Sequence, residues 1–381
     1  MTPIPPSPFD LDRAAAEALV ERLGESRYRV NQVLAWVHGA GAIDPGGMTD
    51  LPARLREALA AEWSGSRVPE AAGVETSADG TTKISIRLAD GAVTETVLIP
   101  DDEEPADAGE RVEEDRKYTQ CLSTQVGCAY RCAFCRSGAG GLSRNMTAGE
   151  ILAQRWHGVW LLGGKERIRR TVLMGIGEPL HNAAAVLAAL RVMTDQRAGA
   201  VSPRRITVST VGLPSGIRAL GEAFGGRIAL AWSMHAPDDA TRARLLPVAA
   251  RHPLRDVVAA LRAYPMPPRD RITVEYVMAR GVNDSDRHAG NVARVLSALR
   301  CKLNLIPLNP HYGTDLLPPP SDRVDAFREV VAAAGVSAFV RRPRGGDVLA
   351  ACGQLLGRAA PAQAGQSAGA GAESERREAK K

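Results

Sequence analysis

Residues 121–135 read Cys121-Leu-Ser-Thr-Gln-Val-Gly-Cys128-Ala-Tyr-Arg-Cys132-Ala-Phe-Cys135 and hold four of the six cysteines of the chain. The last three are spaced C-x3-C-x2-C. Thiolates this close converge on one soft metal centre, and iron–sulfur clusters are held by cysteines grouped in this way. Three protein ligands, Cys128, Cys132 and Cys135, leave one iron of a four-iron cube open, and an open coordination position separates a catalytic metal from a structural one. Two plainer explanations fit less well. A disulfide framework suits short secreted chains, and this chain is long with no secretory start. A structural zinc taking Cys121 as fourth ligand would need a C-x6-C-x3-C-x2-C run in place of the usual paired C-x2-C knuckles.

Working outward, 381 residues allow one large catalytic domain with a smaller accessory one, and 45% hydrophobic with 24% charged residues is ordinary soluble composition. No run of about 18 uncharged apolar residues is present, so no membrane span is expected. The start, Met1-Thr-Pro-Ile-Pro-Pro-Ser-Pro8, has neither a basic n-region nor an apolar h-region. With clustered thiols, this points to a reducing cytoplasm. The net charge of +5 is unevenly spread. Residues 101–115 carry nine carboxylates against Arg111, a net −8, which leaves +13 for the remainder. A basic body suits a phosphate-rich partner.

Four regions are expected. Residues 1–68 form a helical accessory domain behind a proline-rich lead-in (1–10) without structure. Apolar residues recur at helical spacing (Ala16, Leu19, Val20, Leu23, then Val30, Val33, Leu34, Val37), with breaks at Gly41 and Pro45-Gly-Gly47. Arg27, Arg29, Arg54, Arg56 and His38 there could meet phosphates or simply lie on solvated faces. Residues 69–117 hold a β-hairpin over 82–100, with Asp90-Gly91 as a type I′ turn, and then the acidic linker. Residues 118–358 alternate strand and helix, which implies a parallel sheet with helices outside, doubly wound or barrel-like. Residues 359–381 read as a disordered tail. Strand-end residues Gly177, Glu178, Ser209, Ser233, Met234, His235 and Asn309 fall where barrels place their chemistry. Without further context Ser209, Ser233, His235 and Asn309 read more readily as strand-end caps, and Gly177-Glu178 as a tight strand-to-helix turn.

The cluster spacing, with Phe134 in its last gap, resembles the radical S-adenosylmethionine superfamily. Ser123-Thr-Gln-Val-Gly-Cys128, Met174-Gly-Ile-Gly-Glu-Pro179 and Ala350-Ala-Cys-Gly-Gln354 then resemble, in order and over nearly the whole chain, the RlmN family of RNA adenine methyltransferases. The related Cfr type, which acts at carbon 8, shares this framework, and the closeness of the match favours carbon 2. A radical enzyme acting on a non-RNA substrate is the alternative from another class. The sequence departs from the family pattern at Arg136-Ser-Gly138 and at Arg344-Gly-Gly-Asp347.

The resemblance selects an incomplete (β/α)6 barrel and implies a [4Fe–4S] cluster and S-adenosylmethionine as cofactors. It places Gly177, Glu178, Ser209, Ser233, Met234, His235 and Asn309 against S-adenosylmethionine, with Glu178 at its amino group. It makes Cys352 the acceptor of a methyl group from one S-adenosylmethionine. A 5′-deoxyadenosyl radical from a second then takes hydrogen from that methyl, and the carbon radical adds to the adenine ring. Glu95 matches the base that removes the ring proton, and Cys121 attacks Cys352 to form a disulfide that frees the product. The implied substrates are adenosines of 23S rRNA and of tRNA anticodon loops. A flavodoxin- or ferredoxin-type electron donor and a monomeric enzyme are also implied. Cys301, inside an apolar run, reads as structural.

Overall fold

A computed structural model describes residues 7–101, 116–311 and 313–358. Order begins earlier than the proline-rich start suggests. Ser7 accepts the Phe9 N–H while Asp10 reaches back to the Ser7 N–H, closing a 3-10 turn over Pro8–Asp10. Pro8 presets φ for that turn and Phe9 is fully buried, so the last residues of the supposed lead-in are structured. Helices α1 (Arg13–Arg22), α2 (Arg29–Leu34) and α3 (Ala53–Glu62) follow, α2 running into a π-helical turn, Ala35–Ala40. Leu19, Val20, Val33, Leu55 and Leu59 turn inward and join the same contiguous core as the catalytic region. His38 belongs to neither alternative drawn from the sequence. It is buried, its Nε2 lies 2.8 Å from the Leu11 carbonyl, and burial lowers its pKa to about 4.

Three antiparallel strands come next: β1 (Glu70–Thr76), β2 (Thr82–Arg87) and β3 (Val93–Pro100). The expected β2–β3 hairpin is present, but its turn is not type I′. Arg87 pairs with Val93, so the loop spans 88–92, and of Asp90 and Gly91 only Gly91 has positive φ. A type I′ turn needs both central residues there. Asp90 instead spends its carboxylate on the Ala92 N–H and on Arg144. β1, exposed throughout and rich in small residues, carries no alternating pattern and was invisible in the sequence. The acidic linker lies outside the described residues, except that Asp101 accepts a hydrogen bond from Thr119. The tail, 359–381, also lies outside them.

Strand β4 (Tyr118–Cys121) pairs antiparallel with β3 and then begins the parallel series. A small ribbon of β5 (Gln125–Gly127) and β6 (Leu142–Asn145) frames the cysteine loop. Thereafter α4 (Ala148–Leu162), β7 (Ile168–Leu173), α5 (Ala183–Thr194), β8 (Ile206–Thr210), α6 (Pro214–Phe224) and β9 (Ala229–Ser233) alternate. The series ends with α7 (Asp239–Leu245), α8 (Leu254–Ala263), β10 (Ile272–Met278), α9 (Asp286–Leu296), β11 (Cys301–Pro307), α10 (Ser321–Ala333) and β12 (Ala338–Val340). The sheet runs β1-β2-β3-β4-β7-β8-β9-β10-β11-β12 and is open at both ends. Each parallel pairing from β4 to β12 is bridged by a helical crossover, giving six β/α units and a closing strand, the incomplete barrel expected. Cys301 sits buried at the start of β11, as its apolar run suggests.

Candidate active site

The C-terminal ends of β7–β11 open on a cavity of about 150 Å³ lined by Cys128, Cys132, Cys135, Glu178, Ser209 and Asn309, among others. A smaller one of about 60 Å³ abuts it, lined by Cys121, Val97 and Ala351. Cys135, Met174, Arg341 and Cys352 line both, so they form the wall between the two spaces.

The cysteine loop leaves β5 and returns through β6. Burial pushes the Cys128 thiol up to about 12 and raises Cys132 and Cys135 as well, with Cys135 adding to the rise at both Cys128 and Cys132, and Cys352 adding to it at Cys135. Buried thiols with no cation stay protonated, and a coordinated metal reverses that preference. Among the described residues, no trio of His, Cys, Asp or Glu is drawn tightly enough to hold a single metal ion. Cys128, Cys132 and Cys135 all line the one cavity, and three soft donors on a cofactor-sized space suit an iron–sulfur cluster. Phe134 packs edge-on to His235, with ring centroids 4.6 Å apart, and fixes the loop over the strand ends.

Gly177 and Glu178 follow β7. Gly177 has φ of +104°, and a Cβ there would lie 2.6 Å from Gln125 Cβ, so only glycine fits. The same Gln125 accepts the Glu178 N–H. The Glu178 carboxylate accepts from the Leu180 N–H at 3.1 Å and the Val211 N–H at 2.9 Å, and burial raises its pKa to about 7. A buried carboxylate bonded to neutral donors, the Leu180 and Val211 amides and the Thr210 hydroxyl, with no cation beside it, is prepared for a cationic ligand such as an ammonium group.

Ser209 and Ser233, at the ends of β8 and β9, place their hydroxyls 3.4 Å apart. His235 holds a left-handed backbone (φ 54°), and its Nδ1 accepts the Val277 N–H. The ring is therefore the Nε2–H tautomer, and burial with Arg242 nearby lowers its pKa to about 3. Met234 does not line the cavity. Alternation along the strand turns its side chain into the main core, while its N–H bonds to the Glu275 carbonyl. Asn309 lines the cavity and donates to the Cys352 carbonyl at 3.0 Å.

Cys352 itself is exposed, on a stretch tied to the cysteine loop by Arg136 N–H to Gly353 O (2.7 Å) and Ser137 Oγ to Leu355 O (2.8 Å). Cys121 faces it across the small cavity. Burial pushes that thiol up to about 12, with Cys352 adding to the rise. The fold thus unites the two cysteines 231 positions apart in the chain. Glu95 is placed differently. It is buried on β3, lines neither cavity, and its carboxylate accepts the Leu356 N–H at 2.8 Å. Its side chain therefore does not face solvent. Burial raises its pKa, against the pull of Leu356 and Lys83.

Three residues with roles in this region went unnoticed in the sequence. Glu275, level with Ser233 in the sheet, lines the cavity. One of its oxygens accepts from Asn304, and the other is buried without a partner. Arg341, directly after β12, reaches the wall beside Cys352, whose sulfur chiefly raises its pKa. Arg341 stands just past a strand end, where the barrel rule could have found it, whereas Glu275 lies in the middle of β10 and has no such signal. Arg242 is fully buried and donates to the carbonyls of Met234, Val211 and His252, tying three active-site loops together. No local pattern marks it.

Residues 9–64 match the family described as "Ribosomal RNA large subunit methyltransferase N-terminal domain", and residues 122–289 match the radical SAM superfamily. The chain is 47% identical over 359 residues to a "Dual-specificity RNA methyltransferase RlmN" of Sorangium cellulosum, covering 87% of this chain and 91% of the relative. It is 44% identical over 342 residues to the "Probable dual-specificity RNA methyltransferase RlmN" of Thermus thermophilus, covering 89% and 92%. A crystal structure of a radical SAM methyltransferase from Sphaerobacter thermophilus superposes with a TM-score of 0.82 at 37% identity, over 92% of this chain and 99% of that one. The N-terminal helices, the open barrel and the paired cysteines agree with these matches: the chain belongs to the RlmN family of radical S-adenosylmethionine RNA methyltransferases.

Proposed function

We propose that this enzyme methylates carbon 2 of adenosine in 23S rRNA and in tRNA anticodon loops, carrying the methyl group on Cys352 and using two S-adenosylmethionine per turnover. The observation that carries it is the position of Cys352 in the wall between two cavities. Cys128, Cys132 and Glu178 lie on one side, Cys121 lies on the other, and Cys135 shares the wall with Cys352. The shared name of the relatives, dual-specificity RNA methyltransferase, supports two RNA classes.

The cofactors of the family are a [4Fe–4S] cluster and S-adenosylmethionine, which together supply a methyl donor, a 5′-deoxyadenosyl radical and an acceptor for one electron. Cys128, Cys132 and Cys135 would hold the cluster. Glu178 would take the amino group, with Gly177, Ser209, Ser233, His235 and Asn309 around the rest of the molecule. Cys352 Sγ accepts the methyl and presents it to the ring. Once carbon 2 is bonded to that carbon and has lost its proton, Cys121 Sγ attacks Cys352 Sγ. A disulfide forms as the sulfur–carbon bond breaks, and the released carbon takes up a proton to become the product methyl. A ring carbon inside folded RNA must be unstacked to reach this wall. A flavodoxin- or ferredoxin-type protein would deliver electrons to the monomeric enzyme in a reducing cytoplasm.

The test is anaerobic reconstitution to about four irons per chain, followed by RNA methylation, digestion and mass spectrometry. The expected product is 2-methyladenosine, and 8-methyladenosine alone would overturn the assignment. Cys352→Ala should assemble the cluster and give no product. Cys121→Ala should stall with RNA covalently attached through Cys352.

A further inference from the structure

Cys352 must stand at one place for both halves of the reaction, yet residues 345–357 form no helix or strand. Holding a backbone residue in a single conformation costs about 1–2 kcal/mol, so partners elsewhere must hold this stretch. On its cofactor side they are Asn309, Arg136 and Ser137. On the opposite side they all come from the β1–β3 sheet. Asp79 accepts the Gly345 N–H at 2.9 Å, and Asp347 accepts from Ser77 Oγ at 2.5 Å. Lys83 Nζ donates to the Val348 carbonyl at 2.6 Å, and Glu95 Oε2 accepts the Leu356 N–H at 2.8 Å. Val93 and Arg358 exchange backbone bonds at 2.9 and 2.8 Å.

Two of these partners are unusual. Lys83 is 6% and Glu95 9% exposed, Nζ and Oε1 lie 3.8 Å apart, and neither lines either of the two cavities. Burying two charges is unfavourable by several kcal/mol unless their remaining hydrogen-bonding capacity is used. Here it is used on backbone groups four residues before and four residues after Cys352. Lys83 also meets Glu75 at 3.1 Å.

We infer that Lys83 and Glu95 are positioning residues, a buried ion pair that grips the Cys352 segment on both sides and sets its sulfur in the wall between the cavities. Glu95 then acts through the Leu356 N–H and is not the base suggested by the family resemblance. The inference rests on Cys352 being the methyl carrier.

Glutamine and alanine at position 95 separate the two roles. A glutamine amide oxygen still accepts the Leu356 N–H but cannot take a proton from the ring. Glu95→Gln, Glu95→Ala and Lys83→Met would be purified anaerobically and reconstituted to equal iron content. Methylation of Cys352 by S-adenosylmethionine alone would be read by peptide mass spectrometry, and RNA product separately. Glu95→Gln should keep both rates within about threefold of wild type, whereas Glu95→Ala should lose about tenfold or more at both steps, the size of a lost charge-assisted hydrogen bond. Lys83→Met should slow both steps in the same way, because it leaves Glu95 folded but frees the Val348 carbonyl. Normal Cys352 methylation in all three variants, with Glu95→Gln and Glu95→Ala equally unable to release RNA product, would overturn the inference and make Glu95 the base. Wild-type enzyme that never methylates Cys352 would instead overturn the proposed function, and the positioning role with it.

Discussion

Glu178 shows how a single residue can be read both electrostatically and chemically. Its carboxylate is buried, bonded to two backbone amides, and displaced to a pKa of about 7. In the ligand-free protein the folded state therefore holds this proton more tightly than the unfolded chain. Between the ordinary carboxylate range and about pH 7, rising pH strips it at the expense of stability. An ammonium ligand needs the ionised form, so its binding reverses the preference. Apparent affinity for S-adenosylmethionine should consequently rise about tenfold from pH 6 to pH 8, and this rise should vanish in Glu178→Gln. Equilibrium dialysis on the reconstituted enzyme measures it, and a flat profile in the wild type would rule out Glu178 as the partner of the amino group. The Gly-x-Gly-Glu-Pro run was legible in sequence, but the displacement was not, because desolvation depends on what surrounds Glu178 in three dimensions.

At the scale of elements, the β5–β6 ribbon, α4 and the β2–β3 loop meet at one arginine. Arg144 donates to both oxygens of Glu150 at 2.8 Å and to Asp90 at 2.7 Å, with 7% of its side chain exposed and 4% of that of Glu150. Glu150 is also the last member of a capping box opened by Thr147 at the start of α4. Removing one partner of a buried pair leaves an uncompensated charge, typically at a loss of about 3–5 kcal/mol. Arg144→Ala should therefore lower the urea midpoint by that free energy. Arg144→Ala combined with Glu150→Gln should recover part of it, since no buried charge is then stranded. A single variant within about 0.5 kcal/mol of wild type would mean water reaches Glu150 freely. The helix start was readable from Thr147 and Glu150, whereas the arginine that holds it comes from a ribbon with no clear strand signal.

For the whole molecule, charge distribution decides how RNA is approached. Replacing residues 102–115 with a short glycine–serine linker removes eight carboxylates and Arg111, taking the net charge from +5 to +12. Pro100 and Tyr118 pair across β3 and β4, so a short connection can close the gap. RNA binding should tighten at low salt and become more salt-dependent, because affinity for a polyanion follows the cations engaged. Binding isotherms between about 50 and 200 mM salt read this directly. Unchanged affinity and slope would show that this segment's charge is not felt at the RNA surface. Among the described residues no helix is long and apolar enough to cross a membrane.

The sequence by itself determined the chemistry that is local in the chain. The C-x3-C-x2-C spacing, the glycines before Glu178 and the strand–helix alternation each fit within a short window, and periodicity and ligand spacing are properties of such windows. The alternation of strand and helix over the catalytic region was legible in this way. What lies between distant positions was settled only by the tertiary structure. Closing six β/α units brings Cys352 against Cys121 and the cluster loop, lines up Arg341 and Glu275 with them, and turns Met234 away. The same packing buries His38 and Glu95, which periodicity left free to face water. Their burial arises because the Pro8–Leu11 turn covers His38 and the Cys352 segment covers Glu95, and no neighbour in sequence records what a chain segment tens or hundreds of residues away will cover.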